Sequence, residues 1–172
     1  MTKRSLIDEA ESATSLDDFA EQAASGNACR FYMLKADLLR EGHFDHFPKH
    51  RDVVNGGFGK YMTITASEAV RGLYRGNILA VSHRWETKGD PDPTGEQFVA
   101  LCDHVKLHTS IKFVWIDYCC ISQGERSADE LKEFKFMLSN MNFLYLGCSV
   151  LVLLDLTYMG RFWVFFSSLT RD

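Results

Sequence analysis

FVWIDYCCISQ, residues 113–123, sets four apolar or aromatic residues in front of a carboxylate, Asp117, and then enters a polar turn. A buried parallel strand delivers an acid to the mouth of an α/β crevice in this way. Such a strand is covered on both faces, so it reads as a continuous apolar run, and its carboxyl end faces the ligand. Upstream, ILAVSHRWE at residues 78–86 has the same form and ends in Ser82, His83, Arg84, Trp85 and Glu86. Working outward, the pattern from residue 77 is strand 78–82, helix, strand 112–117, helix, strand 150–154, which predicts parallel βαβ units. Thr94 and Gln97 have capping-box spacing ahead of Phe98, Leu101, Cys102 and Val105. Ser127 and Glu130 repeat the device ahead of Leu131, Phe134, Leu138, Met141 and Tyr145. Both apolar sets step by three and four, giving each helix a sheet-facing stripe.

Residues 1–75 read as a helical and loop extension, set apart from an α/β domain over 76–172. Ser15 and Asp18 resemble a helix start that Gly26 stops, and residues 29–41 place Phe31, Leu34, Leu38 and Leu39 on one helical face before Gly42. HFDHFPKHRDVVNGGFGK, residues 43–60, reads as loop because Pro48 and the Gly56, Gly57, Gly59 cluster break it. Thr65 and Glu68 mark another helix start, ending near Gly76.

Composition bounds the function. A chain of 172 residues with 46% hydrophobic side chains can bury a sizeable core, which excludes disorder throughout. Nineteen basic against 23 acidic residues give a net charge of −4, which argues against nucleic acid as a partner. Five cysteines without a CxxC pair look like reduced, buried thiols, and the first twenty residues lack the apolar stretch of a secretory signal, so a cytoplasmic location is expected. Residues 143–166 are long and apolar enough to suggest a membrane span, but Asp155 and Arg161 would each cost roughly 2.5–3.5 kcal/mol near its centre; no span is expected. His43, His46 and His50 with Asp45 and Asp52 are placed in a solvated loop because Pro48 interrupts any helix that would align them, and no metal is expected.

AVSHRWE, WIDYCCISQ, ERSADE, LGCSVLVLLD and GRFW follow one another in this chain. In that order they resemble the blocks of the heterokaryon-incompatibility (HET) domain, over roughly residues 76–166. HET domains are similar in turn to Toll/interleukin-1 receptor (TIR) domains. The resemblance implies a flavodoxin-like parallel sheet, here incomplete at the C-terminus, and a role in intracellular defence or cell-death signalling. It also implies NAD as substrate or ligand, cleaved between nicotinamide and ribose, with no other cofactor bound.

Active relatives carry a glutamate in a Trp-x-x-x-Glu pattern. In this sequence Trp163 is followed by Val164, Phe165, Phe166 and then Ser167. A carboxylate there would stabilise positive charge developing on the ribose, and serine cannot, so a loss on the order of a hundredfold to a thousandfold is expected. Three readings stay open for that ending: a natural inactive module, a gene model or fragment that diverges after Phe166, and catalysis by another acid such as Glu86 or Glu125. A self-association scaffold without NAD binding is a further alternative.

The candidate ligand contacts are Ser82, His83, Arg84, Trp85, Asp117 and Trp163. Arg84 suits a phosphate and Trp85 a base. Their structural alternatives are a salt bridge for Arg84, core packing for Trp85 and a bond to its own loop backbone for Asp117. Gln123, Gly124 and Glu125 fall in the loop that gates the site or mediates self-association in TIR domains. Cys119 or Cys120 with His83 as base would make a nucleophile, weighed against buried structural thiols.

Overall fold

The computed structural model describes residues 28–124 and 126–154. The expectations for residues 1–27, for Glu125 and for residues 155–172, with Trp163 and Ser167, lie outside the described residues. Strand β1 (Ala28–Lys35) runs into the short helix α1 (Ala36–Arg40), and helix α2 (His50–Asn55) leads to β2 (Gly59–Thr65). Helix α3 (Ala66–Val70) precedes β3 (Tyr74–Ser82), α4 (Glu96–Leu107), β4 (Phe113–Trp115) and the single turn α5 (Asp117–Cys120). Helices α6 (Ala128–Ser139) and α7 (Asn142–Gly147) then lead to β5 (Cys148–Val152).

The five strands form one open sheet in the order β2-β1-β4-β3-β5, with helices around it: an α/β fold. The three predicted strands are present, and they pair in parallel as β3 with β4 and β3 with β5. The wholly parallel sheet is corrected to a mixed one, because β1 runs antiparallel to both β2 and β4. Two strands therefore stand where the sequence predicts a helical and loop extension. Residues 29–41 fail as a helix for a physical reason. Cys29, Phe31 and Met33 are wholly buried on one side of β1, and Tyr32 and Leu34 are buried on the other. A strand covered on both faces loses its alternation, and a short apolar run then fits either period. The loop expected over 43–60 likewise contains α2 and the start of β2.

The local start signals fare unevenly. Thr65 with Glu68 and Ser127 with Glu130 both form full capping boxes. Thr94 with Gln97 does not: α4 starts from Gly95 at φ +77°, and Asp92 caps it instead. Phe98, Leu101, Cys102 and Val105 are buried as the spacing predicts, whereas Leu131, Leu138 and Tyr145 on α6 and α7 are exposed. Among the described residues no helix is long and apolar enough to cross a membrane.

Candidate functional site

Because β3 and β4 are parallel neighbours, the residues following each strand leave the sheet at the same edge. Asp117 opens α5 directly after β4, and His83 and Trp85 follow β3. Across 34 residues of sequence, His83 Nε2 lies 2.8 Å from Asp117 Oδ1. The Trp85 indole N–H donates to Asp117 Oδ2 at 3.0 Å, and the Tyr118 backbone N–H donates to Oδ1 at 2.6 Å. The two strand tips are therefore joined through one carboxylate.

Gln97, on the first turn of α4, completes the network. Its amide nitrogen donates to the carbonyls of Arg84 and Pro91 and to Glu86 Oε1, each at 3.1 Å. Three oxygen acceptors around that nitrogen fix the amide orientation, so its oxygen faces His83 Nδ1 at 3.0 Å. Each ring nitrogen of His83 thus faces an oxygen, and neither presents a free lone pair to a ligand. The imidazole is also enclosed, at 2% side-chain exposure, with the Phe47 ring 5.8 Å away.

This arrangement sorts the candidate residues. His83, Trp85 and Asp117 meet directly, and Glu86 joins through Gln97. Ser82 closes β3, and its carbonyl accepts from the Leu153 N–H, extending the β3–β5 ladder. Arg84 enters the network through its carbonyl. Asp117 does bond its own turn, through the Tyr118 N–H, while its carboxylate keeps one unused acceptor position of about four. Trp85 packs its ring edge-on against Tyr118 at 5.5 Å and spends its N–H on Asp117, which favours a packing role over a base platform. Cys119 and Cys120 are fully buried; burial pushes Cys120 up to about 12 and Cys119 well above its ordinary range, so neither is a ready thiolate.

The loop after α5 is closed on itself. The Gln123 side chain donates to the carbonyls of Asp117 and Ile121, and the Arg126 guanidinium donates to the Ser122 carbonyl and hydroxyl while lying 3.8 Å over the Phe134 ring. Gly124 takes φ +80°, which permits the turn.

Beside the network lies a cleft of about 580 Å³, walled by the 45–52 segment, the 90–95 segment and Tyr118. Its lining runs to Gly95, the residue before α4, and at the start of such a helix a phosphate would ordinarily find open backbone N–H groups. Here Asp92 occupies that position: its two carboxylate oxygens accept from the backbone N–H groups of Gln97 at 3.2 Å and Phe98 at 2.7 Å. Asp92 is 7% exposed. Gln97, Asp92 and Tyr118 are the site residues that strand-end reasoning misses. An Asp shortly before an amphipathic run was the available signal for Asp92; Gln97 offers no local one, since its partners come from another element.

The fold and site define an α/β protein with a mixed five-stranded sheet and a carboxylate-centred cluster at the ends of two parallel strands. Comparison of the chain with family models, with curated proteins and with solved structures finds no match in any of the three.

Proposed function

We propose that the chain is a cytoplasmic HET/TIR-like signalling module of defence or cell death, built on a flavodoxin-like plan and derived from NAD-cleaving domains, with weak or no NAD cleavage of its own. One observation carries this reading: two of the five sequence blocks that carry the resemblance, AVSHRWE and WIDYCCISQ, meet side chain to side chain through Asp117. Weak catalysis is supported by Ser167 at the expected glutamate position. It is supported as well by the engagement of His83 at both nitrogens and by the aspartate that fills the helix N-terminus where a phosphate would bind. The second reading, an active NAD glycohydrolase using another acid, draws on Glu86, whose carboxylate shares Gln97 with His83.

Incubation of the purified chain with NAD, following nicotinamide release, separates the two. The expected result is release indistinguishable from buffer. Sustained turnover that E86Q abolishes would establish the glycohydrolase instead. NAD titration with light scattering identifies a pure self-association scaffold as the species that oligomerises without binding NAD.

A further inference from the structure

Turning the Gln97 amide over would set its oxygen against the carbonyls of Arg84 and Pro91 and against Glu86 Oε1, so its orientation is fixed and Oε1 stays 3.0 Å from His83 Nδ1. Asp117 Oδ1 stands 2.8 Å from Nε2 on the other side of the ring. A neutral imidazole has a single N–H, so it donates to one of these oxygens and sets a bare lone pair against the other. Only the imidazolium donates to both. At 2% side-chain exposure, with the Phe47 ring 5.8 Å away, His83 is shielded from the water that would otherwise take over a lost contact.

The charged groups around the ring come from several elements. Asp117 opens α5 and is in contact, Glu86 stands behind Gln97, and Asp92 accepts from the Gln97 backbone N–H at the start of α4. Arg84 follows in the chain, and His46, paired with Asp45, precedes Phe47. Their balance sets the pH at which the ring titrates, and the geometry sets what moves when it does. Asp117, as the charged acceptor, keeps the remaining N–H of a neutral ring, so the Gln97 contact is the one that turns repulsive. Gln97 cannot withdraw its oxygen without also withdrawing the amide nitrogen from the 84–91 loop, which it holds by three bonds.

We propose that His83 and Gln97 form a proton-operated latch: the imidazolium holds the 84–91 loop against α4 and the α5 turn, and loss of its Nδ1 proton to solvent releases the loop. Residues 87–90, at the tip, are exposed, so opening uncovers little buried surface. The closed form binds one proton more than the open one, and opening is therefore favoured as pH rises. The latch stands on side-chain geometry alone, so it survives or fails independently of the signalling reading.

NMR of the isotope-labelled full chain between about pH 5 and 9 tests this. The ring nitrogens of His83 report its protonation, and hydrogen exchange of the Glu86 and Thr87 amides, which donate to the Pro91 and Asp90 carbonyls across the loop, reports closure. At the acid end both ring nitrogens are expected to carry protons. As the ring titrates, Nδ1 is the nitrogen that becomes bare, and protection of both amides, corrected for the intrinsic effect of pH on exchange, falls about tenfold at the same midpoint. Q97M, which removes the amide and keeps the side-chain length, is expected to leave the ring titrating and the loop unprotected at every pH, with a thermal melt to verify folding. Should Q97M fail to fold, the wild-type titration alone decides. The proposal is overturned if the ring does not titrate in this range, if Nε2 loses its proton instead, if amide protection stays level through the titration, or if protection in Q97M still follows it.

Discussion

His83 is the residue whose environment is most constrained, because an enclosed imidazole bridges two oxygens on different elements. Removing it leaves the Gln97 side-chain oxygen without its ring partner and costs Asp117 a charge-assisted bond, although the Asp117 carboxylate, 36% exposed, still reaches water. H83F keeps the ring's volume but deletes both contacts. It is expected to lower stability by about 2–4 kcal/mol, read as a drop in the urea midpoint with unchanged slope. An unshifted midpoint would mean that the strand tips are held together by other means. At this scale the sequence was legible where one element sufficed: His83, Trp85 and Asp117 follow from the rule that polar groups at parallel strand ends share an edge. Gln97 was not, because its local spacing from Thr94 suggested a capping role. That role passes to Asp92 once Gly95 turns at positive φ.

At the scale of elements, the parallel core was readable from apolar runs and two of three capping boxes, and the first two strands were not. β1 is flanked by β2 and β4 and buried on both faces, so the alternation that identifies a strand is erased by the tertiary structure that stabilises it. α6 shows the converse, a correct start signal followed by a stripe that stays partly in solvent. What joins the N-terminal elements to the βαβ core is specific as well as apolar. Arg40, ending α1, donates from Nε to the Val105 carbonyl at 2.8 Å and from Nη2 to the carbonyls of His108 and Ile111 at 3.0 and 2.6 Å. These lie at and just beyond the last turn of α4, where carbonyls lack helical partners and cations are favoured. R40A is expected to cost about 2–4 kcal/mol, and R40K to recover less than half, since one ammonium cannot reproduce a planar fork. Chemical denaturation measures both, and hydrogen exchange should show faster opening at residues 104–108. A change below about 0.5 kcal/mol for R40A would make the contact ornamental.

For the whole molecule, the continuous sheet means that β1, α5 and β5 bury their thiols in one core cluster, although the sequence divides at residue 75 by texture. Texture does not reveal this pairing, because composition reports solvent exposure of loops, while pairing of β1 with β4 depends on contacts some eighty residues apart. That shared core gives the protein a distinct alkaline behaviour. Cys29, Cys120 and Cys148 are at most 3% exposed, and burial raises each from an ordinary 9.0 to about 12. Below pH 9 the thiols are protonated in both states and the folded chain keeps its full stability. Between pH 9 and 12 the unfolded chain releases protons that the folded chain retains, so stability falls as pH rises. Each thiol removes about 1.4 kcal/mol per pH unit, and three together about 4. Typical domains have about 5–15 kcal/mol in all, so cooperative unfolding is expected before pH 12. Circular dichroism and thiolate absorbance followed together should change in one transition. Thiolate signal rising smoothly near pH 9 with the dichroism intact would show that solvent reaches these cysteines in the folded chain, and with that the packing of β1 and β5 into one core with α5 would fall.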